Sequence, residues 1–452
     1  MDSKLRNMTE GKPMKQIFML ALPLMFGNAF QLMYTMVDAI VVGRGVGVDA
    51  LAALGSADWL NWLVLSLATG FAQGFSILFA QNFGADDHKA LRKSVGNSIV
   101  LSVLIAAAVT VISLFAAKPV LRLMNTPEAI IGNAVSYLYI IFAGIMVVMA
   151  YNFAASLLRA LGDGRTPLVA MVIASVINII LDLVFVLVFS WGIIGAAVAT
   201  VIAQIFSFIF CLIRILNIDF LKLSPDDLKL DGKLCAKLIG LGAPVALQNA
   251  IIAVGGIVVQ TVINGFGVVF VAGITATNKF YGLIELAAIA FGYSMTTYMG
   301  QNMGAGKLDR IKKGMTAGAV LAASVSVIVS AVVFIFGKPM ISMFVSSNAD
   351  NYDEVIRIGF TYLCVMGAFL SVLYLLHVYR SALQGLGDTF MPMMSGVAEL
   401  VMRIAIALTL PQIIGEWGIF ATEVFAWVGA TILLIVSFYI KIRKYTKNGL
   451  PK

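Results

Sequence analysis

The chain alternates between long apolar runs and short polar segments. Ile17 to Val42, Ile99 to Ala117, Leu168 to Ser190, Ile193 to Ile213, Ala317 to Gly337 and Phe420 to Ile440 each pass with few charges. About 20 apolar residues in helix cross the roughly 30 Å of hydrocarbon in a bilayer. The pattern predicts twelve spans, at 14–41, 53–80, 94–117, 134–157, 167–190, 193–216, 236–264, 270–299, 315–337, 357–380, 392–411 and 416–441. The predicted fold class is therefore an all-α polytopic membrane protein.

The runs also repeat, at an offset of about 220 residues. "AQNFGADDHKALRKSVG" (80–96) returns as "GQNMGAGKLDRIKKGMT" (300–316), and "AKPVLRLM" (117–124) as "GKPMISMF" (337–344). "LLRALGDGRTP" (157–167) returns as "ALQGLGDTFMP" (382–392), "WGIIGAAVAT" (191–200) as "WGIFATEVFA" (417–426), and Pro23 as Pro244. Six spans per repeat make both halves enter from the same side, as two parallel bundles: 1–216, a cytoplasmic linker at 217–233, and 234–452. Two such bundles suit alternating access, in which a site is opened to each side in turn.

The composition, 60% hydrophobic and 12% charged over 452 residues, agrees with a membrane protein. The net charge of +8 is not a nucleic-acid footprint, because most of the 31 Lys and Arg collect on one side of the predicted membrane. Lys4, Arg6, Lys12 and Lys15, then Lys89, Arg92 and Lys93, then Lys307, Arg310, Lys312 and Lys313 fall on that side, and only Arg44, Lys118, Arg122, Lys338 and Arg357 on the other. The positive-inside rule places both termini in the cytoplasm of a cell-membrane protein. Cys211, Cys235 and Cys364 have no metal-ligand spacing and read as small apolar residues. The first span is too long for a signal-peptide core and is expected to be retained.

An ionisable side chain at a span centre costs roughly 2.5–3.5 kcal/mol, so each one needs a partner or a function. Asn178 and Asp182 stand four residues apart on one face of the fifth span, roughly 16 and 22 Å in from Pro167. Thr200 on the sixth span shares their depth. Asp38, near the outer end of the first, reaches that level if Pro23 and Gly27 bend the helix. Four oxygen-bearing side chains could hold Na⁺ or carry protons; the alternative is interhelical hydrogen-bond glue.

In the second repeat Asn178 and Asp182 align with Arg403 and Ala407. There Glu399 and Arg403, at i and i+4, read as an internal ion pair or as a gate or substrate contact. Glu285, with Lys279 six residues before it, is a candidate attractor of a cationic substrate, and His377, beside Tyr374 and Arg380, a packed residue or a proton-linked gate. Asp163 and Asp388 in the paired "LGD" loops read as turn and cap residues. Phe26, Phe30 and Tyr34 are among the candidate cavity aromatics, and the 22 Met suit a wall for varied lipophilic cations.

"ALPL" (21–24), "MVDAIVVGRGVGVDALAALG" (36–55), the paired "QNFGA" and "QNMGAG", "LRALGDGRTP" and "WGIIGAAVAT" together resemble the multidrug and toxic compound extrusion (MATE) transporters, over essentially the whole chain. The resemblance implies twelve helices in a V-shaped antiporter that expels organic cations against inward H⁺ or Na⁺. It also implies a cation-coupling set, since in the DinF-like branch an Asp on the first helix, an Asn-x-x-x-Asp pair on the fifth and a Thr on the sixth fill that role; Asp38, Asn178, Asp182 and Thr200 match. Another branch has an acid on the seventh helix, where this chain has Gln248 and Asn249, which favours coupling through the first bundle. No enzyme activity and no cofactor beyond the coupling ion are expected, and the expected partners are a small lipophilic or cationic substrate and the bilayer, with the protein a monomer. "GQNMGAGKL" lacks the glycine spacing and hydroxyl of an ATP-binding loop. The runner-up is a flippase for a lipid-linked precursor, which would want cavity cations, and the third reading a sensor or scaffold, which leaves the buried acids unexplained.

Overall fold

The computed structural model describes residues 5–124, 126–343 and 351–450; Lys4 and Phe344, named in the charge and repeat readings, lie outside them. Every long element is a helix, because hydrocarbon offers no partner to the backbone and a helix satisfies its own. The first repeat gives α1 (Pro13–Gly45), α2 (Val48–Gly84), α3 (His88–Leu123), α4 (Glu128–Ala143), α5 (Ile145–Ala160), α6 (Arg165–Asp182), continued by a π-helical turn at Leu183–Val188, and α7 (Ile193–Leu216). The second gives α8 (Gly232–Asn264), α9 (Val268–Gly304), α10 (Leu308–Ser342), α11 (Tyr352–Ala368), α12 (Leu370–Gly385), α13 (Phe390–Thr409), the short α14 (Pro411–Ile414) and α15 (Glu416–Asn448).

The duplication read from the sequence is visible in the helix lengths. α1 and α8 both have 33 residues, α2 and α9 both 37, and α3 and α10 have 36 and 35. The bends repeat too: α4 meets α5 at 48° across Gly144, and α11 meets α12 at 51° across Phe369. A side chain at Gly144 would collide with Val201 of α7, 2.7 Å from the position of its Cβ, so the bend brings backbone against a neighbouring helix.

Among the described residues nine helices are long and apolar enough to cross a membrane, or eleven if each bent pair is one span. The remaining predicted span, 270–299, falls on α9, long enough to cross but more polar.

The "LGD" turns explain their own repetition. Gly162 and Gly387 adopt φ of +80° and +81°, conformations a side chain rarely tolerates, and each precedes an Asp that caps a helix. Asp163 accepts from the backbone N–H of Thr166 at 3.0 Å and pairs with Arg214 at 3.4 Å. Asp388 accepts from Met391 N–H at 3.2 Å and pairs with Lys441 at 2.7 Å. Both are cap residues, as the sequence predicts.

The chain packs as two compact units, Met1–Met8 with Leu22–Ala250 and Thr9–Ala21 with Ile251–Lys452. α1 is divided beside Pro23, and α8 six residues after Pro244. In the first unit the linker lies on the start of α3. Asn97, fully buried, donates to the carbonyls of Asp227 at 3.2 Å and Lys229 at 3.1 Å and accepts from Asp231 N–H at 2.8 Å. Lys93 adds an ion pair to Asp231 at 2.7 Å, which with the linker's own N–H groups holds that carboxyl below the usual range.

Candidate functional site

In the first unit, α6 carries Asn178 and Asp182 on one buried face, both fully shielded from solvent. Asp182 ends the α-helical stretch, and the π-helical turn begins at the next residue. Such turns widen a helix by one residue per turn and often accompany functional sites. The turn is held from two sides. Gly45 of α1 lies so close to Leu187 that an added Cβ would stand 2.4 Å from it, and Gly195 of α7 lies against the backbone of Phe185, 3.0 Å away.

Five candidates from the sequence occupy this region. Asp38, 9% exposed, reaches from α1 and lies within electrostatic range of Asp182. Asn178 donates through Nδ2 to Thr200 Oγ1 of α7 at 3.5 Å, the long limit of such a bond. Tyr34, buried one turn before Asp38, lies beside Gln31 and Gln204.

The oxygens of this cluster are poorly paired. Asp38 Oδ1, Asn178 Oδ1, both carboxyl oxygens of Asp182 and Gln204 Oε1 are buried with no hydrogen-bond donor from the protein. A buried acceptor without a donor costs about 1–3 kcal/mol, and more if charged. Such a set can be satisfied by ordered water, by a proton on each carboxyl or by a cation among the oxygens. Among the described residues no three His, Cys, Asp or Glu converge as a metal site, so a cation here would depend on the amide and hydroxyl oxygens as well.

Sequence spacing did not reach Asp58, Tyr137 and Gln204. Tyr137 of α4, buried, lies within electrostatic range of Asp38, Asp58 and Asp182. Asp58 showed the same signal as Asp38, an acid inside an apolar run, but its neighbour is on another helix.

The second unit is built differently. Glu399 does not simply neutralise Arg403 on its own helix: Arg403 Nη2 stands 3.5 Å from Glu399 Oε2, while Nε and Nη2 engage Glu423 of α15 at 3.1 and 2.8 Å. Glu399 is itself bonded by Arg380 of α12. The expected pair is thus the middle of a chain, Arg380, Glu399, Arg403, Glu423, whose formal charges cancel. His377 faces Glu285, Nε2 to Oε1 3.5 Å, which gives Glu285 a partner across two helices that its own helix did not offer. Lys279 is exposed on α9. Glu423, like Asp58, was legible as an acid within a span but not as a partner.

A family model described as MatE matches residues 23–184 and 244–409, one segment in each repeat. The chain is 28% identical over 344 residues to the probable multidrug resistance protein YpnP of Bacillus subtilis, covering 76% of this chain and 77% of the relative. It is 23% identical over 422 residues to the probable multidrug resistance protein NorM of Thermotoga maritima, covering 91% and 90%. A crystal structure of MATE in complex with MaL6 superposes with a TM-score of 0.91 at 21% identity, covering 98% of this chain and 99% of that one.

Proposed function

Because the chain belongs to the MATE family of multidrug efflux transporters, and is a transporter and not an enzyme, we propose that it exports organic cations from the cell in exchange for H⁺ or Na⁺, with Asp38, Asn178, Asp182 and Thr200 as the coupling set. One observation carries this reading: the buried, donorless oxygens of the first unit. They favour a bound positive charge, whereas the second unit supplies its own. The cluster also agrees with the resemblance to the DinF-like branch.

Alternating access needs a group whose charge changes with the bound ion. With the ion absent, the carboxylates of Asp38 and Asp182 repel one another within a low-dielectric interior. A proton or Na⁺ removes that repulsion and lets α1 settle against α6 and its π-helical turn, where Gly27 packs on Leu168 and Gly45 on Leu187. Loading the ion and holding the drug therefore favour different positions of α1, which makes the exchange obligatory. The flippase reading is weaker here, because the buried arginines that would bind a phosphate are already bonded to Glu399 and Glu423. The protein is read as a multi-pass plasma-membrane monomer with both termini in the cytoplasm.

The test is ethidium efflux from proteoliposomes with pH and Na⁺ gradients imposed separately. Efflux should follow one of the two gradients. Ethidium movement indifferent to both would overturn the proposal.

A further inference from the structure

The last helix, α15, has a buried and an exposed side. Leu434, Phe438 and Tyr445 are buried inside the second unit, whereas Ile432, Val436 and Ile440 on the other side are each more than half exposed. Because α15 is long and apolar enough to cross a membrane, this exposed stripe faces lipid. Two exposed rings mark its depth. Trp417 and Tyr439 stand roughly 33 Å apart at 1.5 Å per residue, close to the thickness of the hydrocarbon layer, and such rings gather at its two edges.

Beyond Tyr439 the same stripe turns basic. Arg443 follows Ile440 by three residues and Lys447 follows Arg443 by four, so both continue the lipid-facing side, with Lys444 beside them. All three are exposed, and among the described residues none has an ion-pair partner. Arg443 lies about 6 Å past Tyr439 and Lys447 about 12 Å, which spans the headgroup layer.

Two contrasts set these residues apart from the general excess of cations on that side. One turn earlier the cations are already paired inside the protein, Arg214 of α7 with Asp163 and Lys441 of α15 with Asp388. α7 then stops at Leu216, which aligns with Ile442, and gives way to the linker, while α15 runs on to Asn448. The added turns carry the three cations, and no Asp or Glu follows Glu423 in the chain to neutralise them.

We propose that the cytoplasmic end of α15 binds an anionic phospholipid, with the phosphate held by Arg443 and Lys447, Lys444 at the rim, and an acyl chain along Ile440, Val436 and Ile432. Charge complementarity selects this occupant. A zwitterionic headgroup brings no net charge to three cations, and a free phosphate leaves the apolar stripe uncovered. The guanidinium of Arg443 also supplies a planar fork that matches phosphate oxygens. The inference goes beyond the export reading and does not depend on what is exported.

Native mass spectrometry of the purified full-length protein tests it, by titration with dioleoyl phosphatidylglycerol and, for comparison, dioleoyl phosphatidylcholine and inorganic phosphate. The wild-type protein should hold phosphatidylglycerol about tenfold more tightly than phosphatidylcholine, and phosphate should not displace it. The triple variant Arg443→Gln, Lys444→Gln, Lys447→Gln should bring phosphatidylglycerol down to the phosphatidylcholine level, glutamine being a good helix former. If that variant does not purify, Arg443→Gln alone should lower the preference several-fold. The variant Lys233→Gln, Lys237→Gln, Lys313→Gln removes the same charge at other exposed positions and should keep the preference. A wild-type protein with no preference, a preference that survives the α15 changes, or an equal loss in the comparison variant would overturn the proposal. So would displacement by phosphate at equal concentration, or a dimer that covers this side of α15 and excludes the lipid.

Discussion

Arg403 is 7% exposed and sits between two carboxylates, so its energetics depend on what remains when it is removed. Breaking a buried pair leaves an uncompensated charge and costs about 3–5 kcal/mol, whereas replacing both partners with apolar groups is close to neutral. Arg403→Met alone should therefore lower the unfolding temperature sharply. Arg403→Met with Glu423→Leu should recover most of the loss, because Arg380 still holds Glu399. Thermal unfolding of the detergent-solubilised variants would show it, and additive losses would mean that the two residues do not interact. The same logic separates the two units. Asp182 has no such partner, so Asp182→Asn removes a burial cost and should leave the fold intact.

At the scale of elements, small residues set how closely helices approach. Gly70 and Gly74 of α2 face Ala246 and Gly242 of α8, with Cβ positions only 2.5 and 2.4 Å from the facing Cα atoms. Gly70, three residues and Gly74 make the spacing by which membrane helices bring their backbones together. Gly74→Ala should force the two helices apart at a cost of about 1–3 kcal/mol, read as reduced stability in detergent. An unchanged melting curve would mean that the close approach is dispensable. This packing was beyond sequence reading, since the glycines were visible but their partner lies some 170 residues away. The spans, the duplication and the capping roles of Asp163 and Asp388 were legible, because apolar runs, repeated motifs and cap residues are local signals. Asn178 with Asp182 was legible as one helix face. The charge chain was only half legible: Glu399 and Arg403 share a helix, but Arg380 and Glu423 join them from α12 and α15.

At the scale of the molecule, the repeat has kept its scaffold and divided its chemistry. The helix lengths, the bends and the capped "LGD" turns recur, while the carboxylate cluster of the first unit has a self-paired charge chain as its counterpart. The linker is likewise fixed on one side, through Asn97 of α3. Asn97→Ala should leave the carbonyls of Asp227 and Lys229 without their donor and speed tryptic cleavage at Lys222 and Lys229 several-fold, by an undocking cost of about 1–3 kcal/mol. Cleavage at the wild-type rate would mean that Asn97 does not hold the linker down. The central claim is that ion and drug are exchanged through Asp38 and Asp182, and it is tested most directly by following both fluxes in vesicles containing the Asp38→Asn, Asp182→Asn double variant. The account predicts that this variant still binds and equilibrates ethidium but moves neither H⁺ nor Na⁺ against it; gradient-driven efflux at the wild-type rate would contradict it.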